Sequence, residues 1–163
     1  MNIFDAPDDP RWKLLEAAEN RLEEVTSREA IIEVVRITAR HACSADGVCF
    51  VLREGELCHY VEEDAIAPLW KGQRFPMSTC ISGWSMLHAQ TAVIEDVFAD
   101  PRIPHDVYRR TFVKSLIMTP VGMDGQVAAI GAYWQDKRYF SDREIAAVKT
   151  MARLVGQALS DIL

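Results

Sequence analysis

The stretch CISGWSMLHAQTAVIEDVFADPRIPHDVYRRTFVKSLIMTPVG, Cys80 to Gly122, decides the fold, because its hydrophobic period changes repeatedly within one segment. Ile81–Ala89 has helical spacing, Thr91–Asp96 resembles a short strand, and Ser115–Gly122 is rich in β-formers. Between them, DPRIPHDVYRR (Asp100–Arg110) is dense in groups that could move protons or hold an anion. Pro101 and Pro104 stiffen that loop. Asp106 precedes Arg109 and Arg110 by three and four residues, the spacing of ion pairs along a helix over His105–Phe112. Tyr108 and Phe112 then share one face and point inward. Gly83, early in a helix, permits close approach of a neighbouring strand.

Towards the N-terminus, residues 1–10 carry acid and two prolines and read as a frayed arm. An amphipathic helix follows from Arg11 to about Val25, and Thr26 with Glu29 fits a capping box for a second helix ending near Asp46-Gly47. Val48–Arg53 and Glu56–Val61 form a hairpin about Glu54-Gly55. Cys49, Val51, Cys58 and Tyr60 fall on one face, with Phe50, Leu52 and Leu57 on the other, so both faces are covered. Asp64–Lys71 reads as a loop with a short helix, and Gln73–Met77 as a strand.

Towards the C-terminus, Gln126–Trp134 pairs with Ser115–Gly122 around Asp124-Gly125. Ser141 and Glu144 make a capping box flanked by Phe140 and Ile145 as a staple. The helix that follows carries two apolar stripes, Ile145-Val148-Ala152-Val155-Leu159-Ile162 and Ala147-Met151-Leu154-Ala158, which call for two packing partners. The order helix, helix, hairpin, irregular middle, hairpin, helix implies an α+β fold. Its central antiparallel sheet has the N- and C-terminal helices on one face, and loops and short helices form a pocket on the other.

The chain has 163 residues, 49% of them apolar, enough for one core. Its net charge of −6 disfavours nucleic acid and anionic membrane. No run approaches the roughly 20 apolar residues of a membrane span, so the chain reads as cytoplasmic. The four cysteines, Cys43, Cys49, Cys58 and Cys80, form no CxxC pair and read as buried free thiols. Cys58 and His59 are adjacent in a strand, point to opposite faces, and do not suit one metal ion.

Ile81-Ser82-Gly83-Trp84, Val93-Ile94-Glu95-Asp96-Val97, Asp100-Pro101-Arg102-Ile103-Pro104 and Lys114-Ser115-Leu116 before Pro120-Val121 occur in this order. In these pieces the chain resembles a GAF domain of the type found in bacterial sensor histidine kinases. The resemblance runs from Thr26 to Leu163 and leaves residues 1–25 as an arm and amphipathic helix. Asp136-Lys137 and Phe140 resemble the end of the family's Asn-Lys-Phe-Asp-Glu signature without its Asn, which argues against cyclic-nucleotide binding.

The resemblance implies a non-catalytic sensory module whose pocket binds an unidentified small molecule and signals through a dimer of terminal helices. The effector would be a domain such as a histidine kinase. The expected pocket residues are Phe75, Trp84, Tyr108, Phe112 and Trp134, with His105 and Arg109 as polar contacts. No catalytic residue, metal or cofactor is assigned. Covalent bilin attachment is argued against, because Cys58-His59 lies upstream of the proline-rich segment, whereas the bilin-binding pair follows it. Two alternatives stay open: a structural dimerisation module with a self-filled pocket, and a GAF-fold redox enzyme using Cys80. Ser82 occupies the position beside the glycine that such an enzyme would use, and no later cysteine supplies a partner.

Overall fold

The computed structural model describes residues 8–122, 124 and 126–162. The first helix, α1 (Pro10–Glu23), starts inside the segment that reads as a frayed arm. Asp9 is its N-cap, only 6% exposed, and accepts the Arg11 backbone N–H at 3.0 Å. Residues 1–7 lie outside the described part. Helix α2 (Arg28–Ala42) is capped by Ser27, one residue after the expected Thr26. The Ser27 hydroxyl accepts the Ala30 N–H at 3.1 Å, so Glu29 closes no box. The chain leaves α2 through Ser44, at φ +53°, before the expected Asp46-Gly47.

Six strands follow: β1 (Gly47–Glu54), β2 (Leu57–Ala65), β3 (Arg74–Pro76), β4 (Ala92–Ile94), β5 (Ser115–Val121) and β6 (Ala128–Trp134). They form one antiparallel sheet in the order β3-β2-β1-β6-β5-β4. Glu54 pairs with Leu57 across a Gly55-Glu56 turn, and Gly55 supplies the positive φ that such a tight hairpin needs. A register shift beside Phe50/Val51 adds one residue, Val61, to β2. The turn expected at Asp124-Gly125 lies partly outside the described residues.

Strand alternation then sorts the side chains. Val48, Phe50, Ile130, Ala132 and Trp134 join a core with α1, α2 and the last helix, α5 (Asp142–Asp161). Cys49, Val51, Cys58, Tyr60, Ala129 and Tyr133 join a second core beneath the loops. Leu57, expected with Phe50 and Leu52, sits at the hairpin end and is 38% exposed.

Ser141 and Glu144 form the expected reciprocal cap, with N–H to oxygen distances of 2.9 and 3.2 Å. Both stripes of α5 pack within this chain, against α1, α2, β5 and β6, with Ile145, Leu159 and Ile162 of the first only partly buried. Each Val or Leu removed from water there contributes about 1.5–3 kcal/mol. Among the described residues, no helix is long and apolar enough to cross a membrane.

The loop face carries α3 (Ile81–His88), the single turn α4 (His105–Tyr108), and 3-10 turns at Met77–Thr79 and Val97–Ala99. The helix expected to reach Phe112 stops at Tyr108, whose carbonyl accepts both the Thr111 N–H and its hydroxyl. No helix forms between Asp64 and Lys71. Gly83 does permit a close approach, but of the Met77–Thr79 turn and not of a strand. A Cβ at Gly83 would lie 1.9 Å from the Met77 carbonyl oxygen. Backbone cannot yield there as a flexible side chain could. Gly83→Ala is therefore expected to cost about 3 kcal/mol in urea unfolding. Ser141→Ala, which only removes a cap, should cost about 1 kcal/mol.

Candidate functional site

On the loop face, side-chain carboxylates position backbone that has no regular structure. Glu63 of β2 accepts the N–H groups of Leu69, Trp70 and Lys71, each at 2.8 Å. These bonds replace the helix expected there and hold Trp70 against the sheet. Asp100 works in the same way at the opposite wall. Its carboxylate accepts the Arg102 N–H at 2.8 Å and the Arg102 guanidinium at 3.0 and 2.7 Å. Asp9-Pro10-Arg11 repeats both the tripeptide and the geometry at α1. The Asp100 carbonyl also accepts from His105 Nε2 at 3.0 Å, and the Arg102 guanidinium lies over Trp84 at 4.3 Å.

Five aromatic rings fill the space between these walls. Trp70 packs on Tyr108 at 4.8 Å, on Tyr133 at 5.5 Å and on Tyr60 at 5.8 Å, while Phe75 meets Tyr60 at 5.5 Å. Burial raises the phenol pKa of Tyr60, Tyr108 and Tyr133, so all three stay protonated. A small, partly open cleft of about 10 Å³ remains beside Tyr60, Cys80, Pro104 and Tyr108. Outside Trp70, Phe75 and Val107, a recess of about 250 Å³ opens to solvent, with Gln73, Asp106, Arg110 and Thr111 at its rim.

Beneath the cleft, Cys80 Sγ lies 3.3 Å from Cys58 Sγ and 3.3 Å from Ser82 Oγ, and Ser82 shares a 2.9 Å hydrogen bond with the Tyr60 hydroxyl. Cys58 Sγ donates to the Met77 sulfur at 3.1 Å. Cys80 is the N-cap of α3. The hydrogen-bonded contact with Cys58 holds its thiol down to about 6, aided by the Ser82 hydroxyl and Gly83 N–H against the opposing effect of burial. The Cys58 thiol is pushed up by the same pairing and by burial. Cys43 is raised by burial to about 12, and Cys49 is raised by burial too.

The residues expected to line a pocket divide into several groups. Phe75 and Tyr108 line both the aromatic wall and the cleft. Trp84 and Phe112 pack against the same core but line neither opening; Trp84 is covered by Arg102 and stacks on His88 at 4.7 Å. His105 is occupied by the Asp100 carbonyl and Phe98. Arg109 points outward and pairs with Asp106. Trp134 is on the opposite face of the sheet, donating to the Ser44 carbonyl at 2.9 Å and packing on Phe140. Its neighbour Tyr133 is the one that faces the aromatic wall.

Arg110 replaces Arg109 as the cation at the recess; among the described residues it has no ion-pair partner. Tyr60, Glu63, Trp70 and Cys58 were also missed. Strand alternation through β6 identifies Tyr133, but the others meet only through long-range folding. Among the described residues, no three His, Cys, Asp or Glu side chains gather as metal ligands. Cys58 and His59 do diverge, and His59 pairs with Glu54 at 2.6 Å. A larger depression of about 760 Å³ lies elsewhere, between β5 and α5, but its lining, including Lys149, Arg153 and Gln157, includes no aromatic ring.

The Asp9 and Asp100 carboxyls are held below the ordinary value of 3.8, chiefly by their arginine hydrogen bonds. Their contribution is complete above that value and is lost as pH falls through the lowered folded values. Asp100→Asn should therefore lower stability at neutral pH and flatten the acid limb. Its unfolding curve should converge with wild type at the acid extreme, as followed by circular dichroism.

The GAF domain family model matches residues 23–160. No curated protein matches the chain by sequence. Among solved structures, a free methionine-R-sulfoxide reductase from Neisseria meningitidis, in complex with its substrate, superposes with a TM-score of 0.77 at 18% identity. That match covers 93% of this chain and 89% of the reductase. The GAF domain of an Acinetobacter phosphoenolpyruvate-protein phosphotransferase gives 0.78 at 11% identity, over 94% and 95% of the two chains. A phycoerythrobilin-bound GAF domain of a cyanobacterial phytochrome gives 0.74 at 15%, over 95% and 96%. At these identities the superpositions establish the fold alone. An antiparallel sheet with terminal helices on one face and a loop-built wall on the other, together with a family match over most of its length, shows that the chain belongs to the GAF domain family.

Proposed function

We propose that this chain is a non-catalytic sensory and signalling GAF domain, the cytoplasmic input module of a two-component sensor histidine kinase. The recess between the Glu63-held loop and α4 supports this reading. It combines an aromatic floor of Trp70 and Phe75 with Arg110, which has no ion-pair partner among the described residues, with polar Gln73 and Thr111, and with Asp106, whose charge is engaged by Arg109. That chemistry suits a small flat molecule bearing a carboxylate.

A route to the helices begins at the same strand. Glu63 holds the recess loop, while its neighbour Asp64 pairs with Arg40 of α2 at 3.3 Å. A ligand that prefers one position of the loop thereby biases α2, and through it a dimer of terminal helices joined to an effector. The second reading, a structural dimerisation module, is favoured by one observation: the interior is filled by the chain's own rings.

Native mass spectrometry and thermal unfolding with a panel of aromatic and heterocyclic carboxylates separate the two. The sensory reading expects a dimer and a bound molecule, or a rise in melting temperature of several degrees. Arg110→Ala should then weaken binding about tenfold or more without changing the unliganded melting point. A dimer that retains and binds nothing would support the structural reading. A monomer across micromolar concentrations would overturn signalling through a helix dimer.

A further inference from the structure

We propose that Cys58 and Cys80 form a reversible dithiol–disulfide site, oxidised by a small hydroperoxide, that fastens β2 to the start of α3. The proposal is independent of whether the recess holds a ligand. The two sulfurs are 3.3 Å apart on elements separated by 22 residues, and both are free thiols in this structure. Little movement is needed to bring them to bonding distance. A small cleft of about 10 Å³, partly open and lined also by Phe75, Tyr108 and Trp70, lies beside Cys80 and gives a small hydroperoxide its approach.

The groups around the pair divide the labour. Cys80 occupies the N-cap position of α3, and the Ser82 hydroxyl and Gly83 N–H favour its thiolate. Cys58, between Met77 and Cys80, keeps its proton and acts as the resolving thiol. In the first step the Cys80 thiolate attacks one peroxide oxygen. The S–O bond forms as the O–O bond breaks, and the departing alkoxide or hydroxide takes a proton, leaving Cys80 sulfenic acid. In the second step Cys58 sulfur attacks Cys80 sulfur. The S–S bond forms, the S–O bond breaks, and hydroxide leaves as water with the Cys58 proton. The dithiol loses two electrons and two protons, and the peroxide is reduced to alcohol or water plus a second water. A small external thiol reverses the change by disulfide exchange.

Cys43 and Cys49 serve as internal controls, because each is fully buried and its thiol is raised by burial. The fully reduced full-length chain is treated with a few equivalents of hydrogen peroxide, alkylated after denaturation, and mapped by trypsin and mass spectrometry. The expected product has lost two hydrogens and joins the peptide 54–71, carrying Cys58, to the peptide 75–102, carrying Cys80. Cys43 and Cys49 stay free, and dithiothreitol restores all four thiols. Cys58→Ala should stop the reaction at one added oxygen on Cys80, trapped by a sulfenic-acid probe. In wild type the rate of disulfide formation should rise as pH passes through about 6. Four free thiols after treatment, a link through Cys43 or Cys49, or direct passage of Cys80 to its sulfinic acid would each overturn the proposal. Wild-type mapping decides this even if the variant fails to fold.

Discussion

Every residue of β6, AAIGAYW, is buried, so this strand must satisfy two cores at once. Its small residues make that possible. Ala128 and Ala132 let α1, α2 and α5 close on one side, while Ala129 and Gly131 leave room on the other. A Cβ on Gly131 would sit 2.5 Å from the Tyr133 hydroxyl and 2.7 Å from the Met118 methyl. The Tyr133 ring thus lies back over a strand position without a side chain, and Trp70 can pack on it. The aromatic wall depends on a missing methyl group as much as on its own rings. Strand alternation does the rest, because a one-residue slip would exchange the two cores wholesale.

The loop face is fastened by a different force. A sheet roofed by irregular chain has buried N–H groups that no ladder satisfies, and each left unpaired costs about 1–3 kcal/mol. Glu63 takes up two part-buried N–H groups and the exposed one of Lys71, Asp100 takes up a further part-buried one, and in doing so they set where Trp70 and Arg102 lie. Charge in this region is mostly consumed by architecture. Asp100, Arg102, His105, Asp106 and Arg109 are all engaged within the chain, which leaves Arg110 as the cation at the recess.

What could be read from the sequence follows from this division. Features governed by local chemistry were legible: the period change at β1, the Ser141–Glu144 cap, the two stripes of α5 and the two-sided sheet. Features governed by long-range satisfaction were not. Ile66, Leu69 and Trp70 suggest a helix until a carboxylate on β2 claims their backbone, and nothing nearby announces it. Thr26 and Ser27 are both good caps, and only the extended backbone at Ser27 selects the second. Trp134 is expected in the pocket, although alternation from Gly131 gives that face to Tyr133. Cys58 and Cys80 were each judged beside their sequence neighbours, where neither has a partner. The antiparallel pairing of Cys58 with Phe75 brings them together, because the chain turns back from β3 through Met77–Thr79 to Cys80.

These contacts give the loop face two attachments to the sheet of unequal permanence. Glu63 holds the recess loop by three hydrogen bonds. The start of α3 meets β2 through sulfur contacts and the Tyr60–Ser82 hydrogen bond, together with the tight seat of Gly83 on Met77. Only the second attachment can become covalent, and a small cleft lies next to it. The recess is larger and carries a cation, but Trp70, Phe75 and Val107 separate it from the thiols. A ligand in the recess and an oxidant at the sulfurs therefore act on opposite sides of one aromatic wall. Both bear on β2, whose Asp64 contacts α2. With both stripes of α5 spent inside the chain, that contact offers a direct polar path from the loop face to the helices.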